Sequence, residues 1–283
     1  IKSSAASDVY KRQIQKTISM QYGRNTVVIL YNIKNGNYDS KLTLAPIINY
    51  RDFHQVNKDT EFNLKEKISG TKVRIVVKNE SQTPFYMKCS EGTYIEHHND
   101  IFYRMFYMEE EKRGFDPIEN HAIPGRYEIE LKPNEEKNIS FVFSLEESID
   151  EIKAEDVIKQ EEVRLKKIVT DTGLINENTE DKELIEDFII TTDSFIAYRP
   201  SFGLHTIIAG YPWFLDWGRD SLIAFEGLLL KTKRFDIAKE VLLTFIRDIK
   251  YGLVPNGYSG YDNRPLYNLS LIHISEPTRH LRI

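Results

Sequence analysis

The chain is poor in sulfur and in its largest aromatic residue, with one cysteine, Cys89, and two tryptophans among 283 residues. A lone thiol can form no internal disulfide and cannot supply the paired thiolates of a structural zinc site. A reducing, cytoplasmic location fits best. Apolar runs of about 18 residues are missing, so no helical membrane span is expected. No secretory leader is recognisable in the sequence as it stands, which begins at Ile1. An excess of charge of one sign is lacking too: 38 Lys and Arg face 43 Asp and Glu, a net charge of -5. With no basic stripe, nothing favours nucleic acid as a partner. Glycine-rich phosphate loops, Gly-x-Ser-x-Gly elbows and His-Glu-x-x-His pairs are also absent, which leaves nucleotide, serine-hydrolase and zinc-peptidase chemistry without support. No cofactor and no metal is expected. His97 and His98 are adjacent, and in a regular strand they point to opposite faces and cannot share one ion.

What is present changes character once. From about residue 24 to 146, short β-rich runs alternate with turn residues: TVVILYNI, KVRIVVKN, GTYIEHH, IFYRMFYM and GRYEIELKPNEEKNISFVFS. In the last of these Tyr127, Ile129 and Leu131 alternate with charged residues. Pro133-Asn134 supplies a turn, and Ile139, Phe141 and Phe143 resume the alternation. One buried and one wet face predict an antiparallel β-sandwich. MEEEKR at 108–113 reads as a solvated charge run. In NYRDFH, Arg51 and Asp52 read as an internal pair.

From about 150 the period becomes helical. Ala154, Val157, Ile158, Leu165, Ile168 and Val169 form one apolar stripe, and the polar break DTGLINENTEDK follows. A second helix carries Leu184, Ile185, Phe188, Ile189, Phe195 and Ile196 and stops before Pro200. Residues 220–231 are apolar almost all round, which predicts a helix enclosed on every side. Residues 236–250 predict a half-buried helix with Ile237, Val241, Leu242, Phe245 and Ile249 inward and Asp236 as N-cap. An inner and an outer helical layer are therefore expected.

The two ends resemble translated sequencing-adaptor sequence and are expected to contribute nothing to the fold. The expected organisation is 1–13 adaptor-like; 14–148 an N-terminal β-sandwich; 149–178 a helical linker; 179–268 the helical domain; and 269–283 adaptor-like again.

Both tryptophans fall in AGYPWFLDWGRDSLIAF, at the entrance to the all-apolar helix. Free backbone N–H groups and the positive end of the helix dipole favour Asp220 in the first turn and Asp216 as an N-cap. Trp213 and Trp217 offer flat faces on which a pyranose can stack, while Arg219 and Asp220 could bond its hydroxyls. A buried Arg219–Asp220 ion pair packed against core tryptophans satisfies the same residue types equally well. His205, just upstream, reads as a hydrogen-bonded loop histidine, and Glu226 as a structurally paired carboxylate.

IIAGYPWFLDWGRDSLIAFEGLLL, RFDIAKEVLLTFIRDIKYGLVPN and NRPLYN resemble the start of the glucosidase domain of bacterial and archaeal glycogen debranching enzymes, the amylo-alpha-1,6-glucosidase family. LAPIINYRDFHQ and FYRMFYMEEEKRGFDPIENHAIPGRYEIEL resemble that family's β domain. The resemblance covers residues 24–268. It implies a multidomain chain, β then α, with an antiparallel β-sandwich, a helical linker and the first helices of a truncated (α/α)6 toroid. It further implies that Arg219 and Asp220 bind a terminal glucose, that Trp217 and Trp213 shape the pocket with Asp216 beside them, and that Tyr267 and Asn268 lie near it. The implied partner is glycogen or another branched α-glucan, and the implied reaction is inverting hydrolysis of α-1,6 branch points in limit dextrin. The general acid and base are expected downstream of Asn268, so no catalytic carboxylate is nominated. A non-catalytic glucan-binding fragment, or another (α/α)6 glycosidase such as a glucoamylase or trehalase, remain the alternatives.

Overall fold

A computed structural model describes residues 2–7, 12–52, 54–77, 83–211 and 214–267. The chain divides into two units, residues 1–162 and 163–283. The first contains strands β1 (Lys2–Ser7), β2 (Arg12–Met20), β3 (Thr26–Lys34), β4 (Ser40–Leu44), β5 (Leu64–Ser69), β6 (Lys72–Val77), β7 (Phe85–Cys89) and β8 (Thr93–Phe106). A short helix α1 (Met108–Lys112) precedes β9 (Ile118–Leu131) and β10 (Glu136–Ser144), and helix α2 (Ala154–Thr172) begins in this unit.

The strands form two antiparallel sheets, one of seven strands in the order β1-β2-β3-β10-β7-β6-β5 and one of three in the order β4-β9-β8. The Pro133–Asn134 turn, with Asn134 at φ 56°, carries the chain from β9 in the small sheet to β10 in the large one. Tyr127, Ile129 and Leu131 thus face Ile139 and Phe141 across the core, joined there by Val73, Ile75, Met87 and Cys89. This is the expected sandwich, with one correction. The large sheet has no wet face over β3, β7 and β10, because Val28, Leu30, Tyr86 and Val142 pack against Ile149, Ala154 and Val157 at the start of α2. Burial on both sides explains why TVVILYNI is apolar throughout instead of alternating. Ser140 Oγ accepts a hydrogen bond from the Ala154 amide at 2.8 Å and fixes the entry of α2.

β2 is an addition to the sequence-based list of strands. It pairs with β3 from Gln13↔Lys34 to Met20↔Val27, so the expected boundary after residue 13 falls inside a strand. The runs GTYIEHH and IFYRMFYM are one strand, β8, interrupted by register shifts between Glu96 and Asp100 and between Phe102 and Met105. The charge run at 108–113 forms α1, which buries no residue and pairs Lys112 with Glu109 at 2.6 Å.

The second unit takes in the rest of α2 and then α3 (Lys182–Ser194), β11 (Ile196–Arg199), β12 (Leu204–Gly210) and β13 (Phe214–Asp216). Helix α4 (Gly218–Phe225) runs into a π-helical turn at Glu226–Leu230, followed by α5 (Phe235–Ile246), β14 (Gly257–Tyr258) and β15 (Pro265–Leu266). The expected second helix ends earlier than its apolar spacing suggests, because residues 196–199 leave it to pair with β12. Strands β11-β12-β13 form a sheet that the helical periodicity concealed. Ile207, Leu229, Ala238, Val241, Phe245 and Tyr258 make the core.

Two further expectations are corrected. Residues 220–231 are not enclosed on every side: Ile223 is 61% exposed and Leu230 is exposed as well. Within this unit the helix is covered where it meets β12 and α5, leaving its other face open. Asp236 does not cap α5, whose N-cap is Arg234, and Leu242 and Ile249 lie outward. Among the described residues no helix is long and apolar enough to cross a membrane.

Candidate functional site

The site grows out of the β12–β13 hairpin. Asp216 pairs with Ile208, and the next residue, Trp217, stays extended (φ -118°, ψ 128°) before the chain turns into α4. The first helical amide, that of Gly218, donates to the Asn256 carbonyl at 2.6 Å, and Trp217 forms a bridge with Gly257. A Cβ on Gly257 would lie 3.1 Å from the Asp216 carbonyl oxygen and 4.0 Å from the indole. Glycine there lets the 254–267 segment close on Trp217.

The carboxylates of this stretch have different fates. Asp216 is not the N-cap, since no side chain caps α4. Its carboxylate is 1% exposed and accepts hydrogen bonds from Arg199 Nη1 at 2.6 Å to each oxygen and from Thr206 Oγ1 at 3.1 Å. The sequence reading missed Arg199, which lies 17 residues away with no local spacing to betray it. Arg219 and Asp220 form a looser pair, 3.4 Å apart, with side chains 41% and 36% exposed. They are accessible and not sealed in the interior. Trp217 is half-buried beside them.

Tyr267 is half-buried, and its hydroxyl donates to the Asp248 carbonyl at 2.6 Å. Trp213 and Asn268 lie outside the described residues. The Asn256 side chain is buried, and among the described residues neither its amide nitrogen nor its amide oxygen has a hydrogen-bond partner. His205 belongs to β12 and not to a loop, and its Nδ1 pairs with Glu240 Oε2 at 2.6 Å. That hydrogen bond holds the Glu240 carboxyl below its ordinary pKa. Glu226 is exposed and lies 3.6 Å from Lys231.

A second polar cluster sits in the sandwich. Arg51 does not pair with the Asp52 carboxylate; it donates from Nε at 2.6 Å and Nη2 at 2.9 Å to Glu119, and only its Nη1 reaches the Asp52 carbonyl. Glu119 is fully buried and also accepts from Asn49 Nδ2, the Asn57 amide and the Tyr107 hydroxyl, at 2.8, 2.9 and 2.6 Å. Burial alone would raise its pKa, but Arg51, Tyr107 and the Asn57 amide outweigh burial and bring it down to about 2. Tyr107 is pushed up to about 12, by burial first and then by its bond to Glu119. Burial likewise lowers His121, whose Nε2 lies 3.0 Å from the Tyr107 hydroxyl. Asn49, Arg51, Asn57 and Tyr107 all bond to Glu119, a structural network that ties residues 49, 51 and 57 to β9.

At the register shift in β8, His97 and His98 both line a cavity of about 280 Å³ with Glu66, Glu96 and Asp100. The two side chains differ in setting, His97 largely buried beside Asp100 and His98 exposed beside Glu96. Arg126 donates to His97 Nε2 at 2.7 Å, while His97 Nδ1 lies 2.5 Å from Asp100 Oδ2 without the alignment of a hydrogen bond. Among the described residues no group of three His, Cys, Asp or Glu side chains could hold a metal ion. Burial raises the pKa of the Cys89 thiol within the core.

Comparison with known proteins gives two family matches. Residues 8–138 match the family model "Glycogen debranching enzyme N terminal" and residues 190–272 match "Amylo-alpha-1,6-glucosidase". A glycogen debranching enzyme of Saccharomyces cerevisiae is 40% identical over 74 residues, covering 24% of this chain and 5% of the yeast protein. The chain therefore spans a small fraction of that relative's length. Among solved structures, a putative kojibiose phosphorylase from human microbiome aligns over 74% of this chain and 28% of its own, at 12% identity and a TM-score of 0.45. A polysaccharide lyase aligns over 50% of this chain and 21% of its own, at 12% identity and a TM-score of 0.28.

Proposed function

We infer, from the chain's membership in the glycogen debranching enzyme family, that it carries the β domain and the beginning of the glucosidase domain of an enzyme that removes α-1,6-linked glucose from branched α-glucans. The observation that carries this reading is the open Arg219–Asp220 pair beside half-buried Trp217 at the start of α4, inside the segment matched by the glucosidase family. A carboxylate accepts from two adjacent hydroxyls and a guanidinium donates in fixed geometry, while an indole face takes the C–H side of the ring. Trp213, Tyr267 and Asn268 complete the proposed glucose subsite, whereas Asp216, named with them as a sugar-binding candidate, has its carboxylate taken up by Arg199 and Thr206.

No catalytic carboxylate is assigned within the chain. Asp216 is committed to Arg199, Asp220 is paired with Arg219, and Glu226 is exposed beside Lys231. In the proposed inverting reaction an acid and a base about 6.5–9.5 Å apart flank the scissile bond, with water on the side of the base. Neither group is assigned to a residue, and the proposed subsite is tested through α-glucoside binding. The proposed location is the cytoplasm.

Isomaltose titration of wild type, Arg219→Ala and Asp220→Ala tests the subsite. Each variant is expected to lose about ten-fold or more in affinity, the scale of a hydrogen bond to a charged group, with an unchanged melt. Unaltered affinity in both variants contradicts the assignment. For the gene extended past residue 268, glucose release from limit dextrin should exceed that from maltose and trehalose. Equal or greater activity on trehalose removes the debranching reading.

A further inference from the structure

Arg199 lies outside the tryptophan-rich stretch, yet its guanidinium joins the segments on either side of the candidate subsite. Nη1 donates to both oxygens of Asp216 at 2.6 Å, while Nη2 donates to the Ser259 carbonyl at 3.1 Å and to Asn263 Oδ1 at 2.9 Å. Its flat face lies 4.4 Å from the centroid of the Phe202 ring. Asp216 immediately precedes Trp217, and the 259–263 turn leads through β15 to Tyr267.

We propose that Arg199 is a positioning residue of the glucoside subsite: it fixes Trp217 and the first turn of α4 relative to the Tyr267 segment. The proposal rests on the reading of that subsite given above. α4 has no side-chain cap, and its first amide is held by the carbonyl of Asn256, in the same segment as Ser259 and Asn263. The orientation of the indole therefore depends on β13 and the 256–263 segment being held together, and Arg199 bonds to both. The task suits a guanidinium, whose planar fork reaches four acceptors in fixed directions while the ring of Phe202 supports its face. An ammonium on a flexible stem carries the same charge without the bridge.

The test separates position from stability. Arg199→Met leaves a buried, unpaired carboxylate at Asp216 and is expected to lower the melting temperature, whereas the double variant R199M/D216N removes both charges and is expected to regain most of that loss. In a Trp213→Phe background, fluorotryptophan NMR then reads Trp217 alone. If Arg199 positions the site, the double variant and Arg199→Lys show a shifted or broadened Trp217 resonance. With Trp213 retained, both also lose about ten-fold or more in isomaltose affinity, although the double variant's melt has recovered. A wild-type Trp217 resonance together with wild-type affinity in the double variant overturns the proposal. Asn263→Ala leaves the buried pair intact and is expected to move the same resonance less, in the same direction. Should the double variant fail to fold, Asn263→Ala decides in its place, and no movement there also overturns the idea. Absence of isomaltose binding by wild type refutes the glucoside reading instead. In that event the Trp217 resonance alone decides, a moved signal supporting a positioning role and an unmoved one rejecting it.

Discussion

Glu119 and Asn256 are the two side chains whose surroundings make the sharpest demands. Glu119 is ionised in full burial because five donors converge on it. Its folded pKa of about 2 lies below the ordinary glutamate value of about 4.3. The resulting stabilisation is complete above about pH 5 and disappears as the pH falls toward 2, and a shift of this size corresponds to roughly 3 kcal/mol. Glu119→Gln should therefore be destabilised by about that amount at pH 7, with the gap to wild type closing at pH 3 and below. Urea melts across that range check it, and a gap independent of pH contradicts it. Asn256 is the opposite case, a buried side-chain amide whose nitrogen and oxygen both lack a partner among the described residues. An unsatisfied buried polar group costs about 1–3 kcal/mol, so Asn256→Leu is expected to raise the melting temperature. A fall in that temperature would show that the amide is satisfied in solution.

Two glycines separate backbone needs at the level of the element. Gly125 sits in β9 where a Cβ would lie 2.5 Å from the Tyr94 ring and also collide with the Ile95 carbonyl. Neither backbone nor a buried tyrosine can give way cheaply, and Gly125→Ala should cost about 2–3 kcal/mol by forcing β8 away from β9. Gly227 lies in the π-helical turn, and among the described residues no atom outside its chain neighbours and the helix's own backbone stands within 4 Å of the position its Cβ would take. Gly227→Ala should stabilise by about 0.5–1 kcal/mol through the entropy of the unfolded chain. Thermal melts of both variants decide the pair of expectations, and similar shifts in the same direction would discredit the geometric argument. The π turn also explains why an apolar stretch of twelve residues does not form one straight helix: the Lys231 amide bonds back five residues to Glu226 at 2.9 Å.

The whole molecule has two units that differ in how completely they bury themselves. The sandwich closes one core between its sheets and another under α2, to which Ile149, Ala154 and Val157 contribute. A fragment ending at 162 should consequently melt well above one ending at 148, which lacks those three side chains. Comparable melting of the two would mean that the start of α2 adds nothing. The second unit leaves Leu184, Phe188, Ile223, Phe235, Leu243 and Ile246 exposed on α3, α4 and α5. Apolar surface on this scale promotes association. The chain is expected to bind a hydrophobic dye and to self-associate with rising concentration, both effects tracing to residues 163–267. A monodisperse, dye-silent protein would count against it.

Local pattern alone determined the strands with alternating faces, the helical stripe of α2, and the setting of the tryptophan-rich stretch at the entrance to a helix, because side-chain periodicity follows directly from backbone geometry. It also carried the family resemblance. What it left open was which charged residues of the stretch face solvent and which are sealed. Asp216 and Asp220 look alike in sequence, yet one is gripped by Arg199 from β11 and the other lies open beside Arg219. Likewise Arg51 finds Glu119 across 68 residues and passes over the adjacent Asp52 side chain. Such pairings are set by how strands register and how segments fold back on one another. Only the tertiary structure could decide them, since the energy of a buried ion pair depends on distance and exclusion of water and not on separation along the chain.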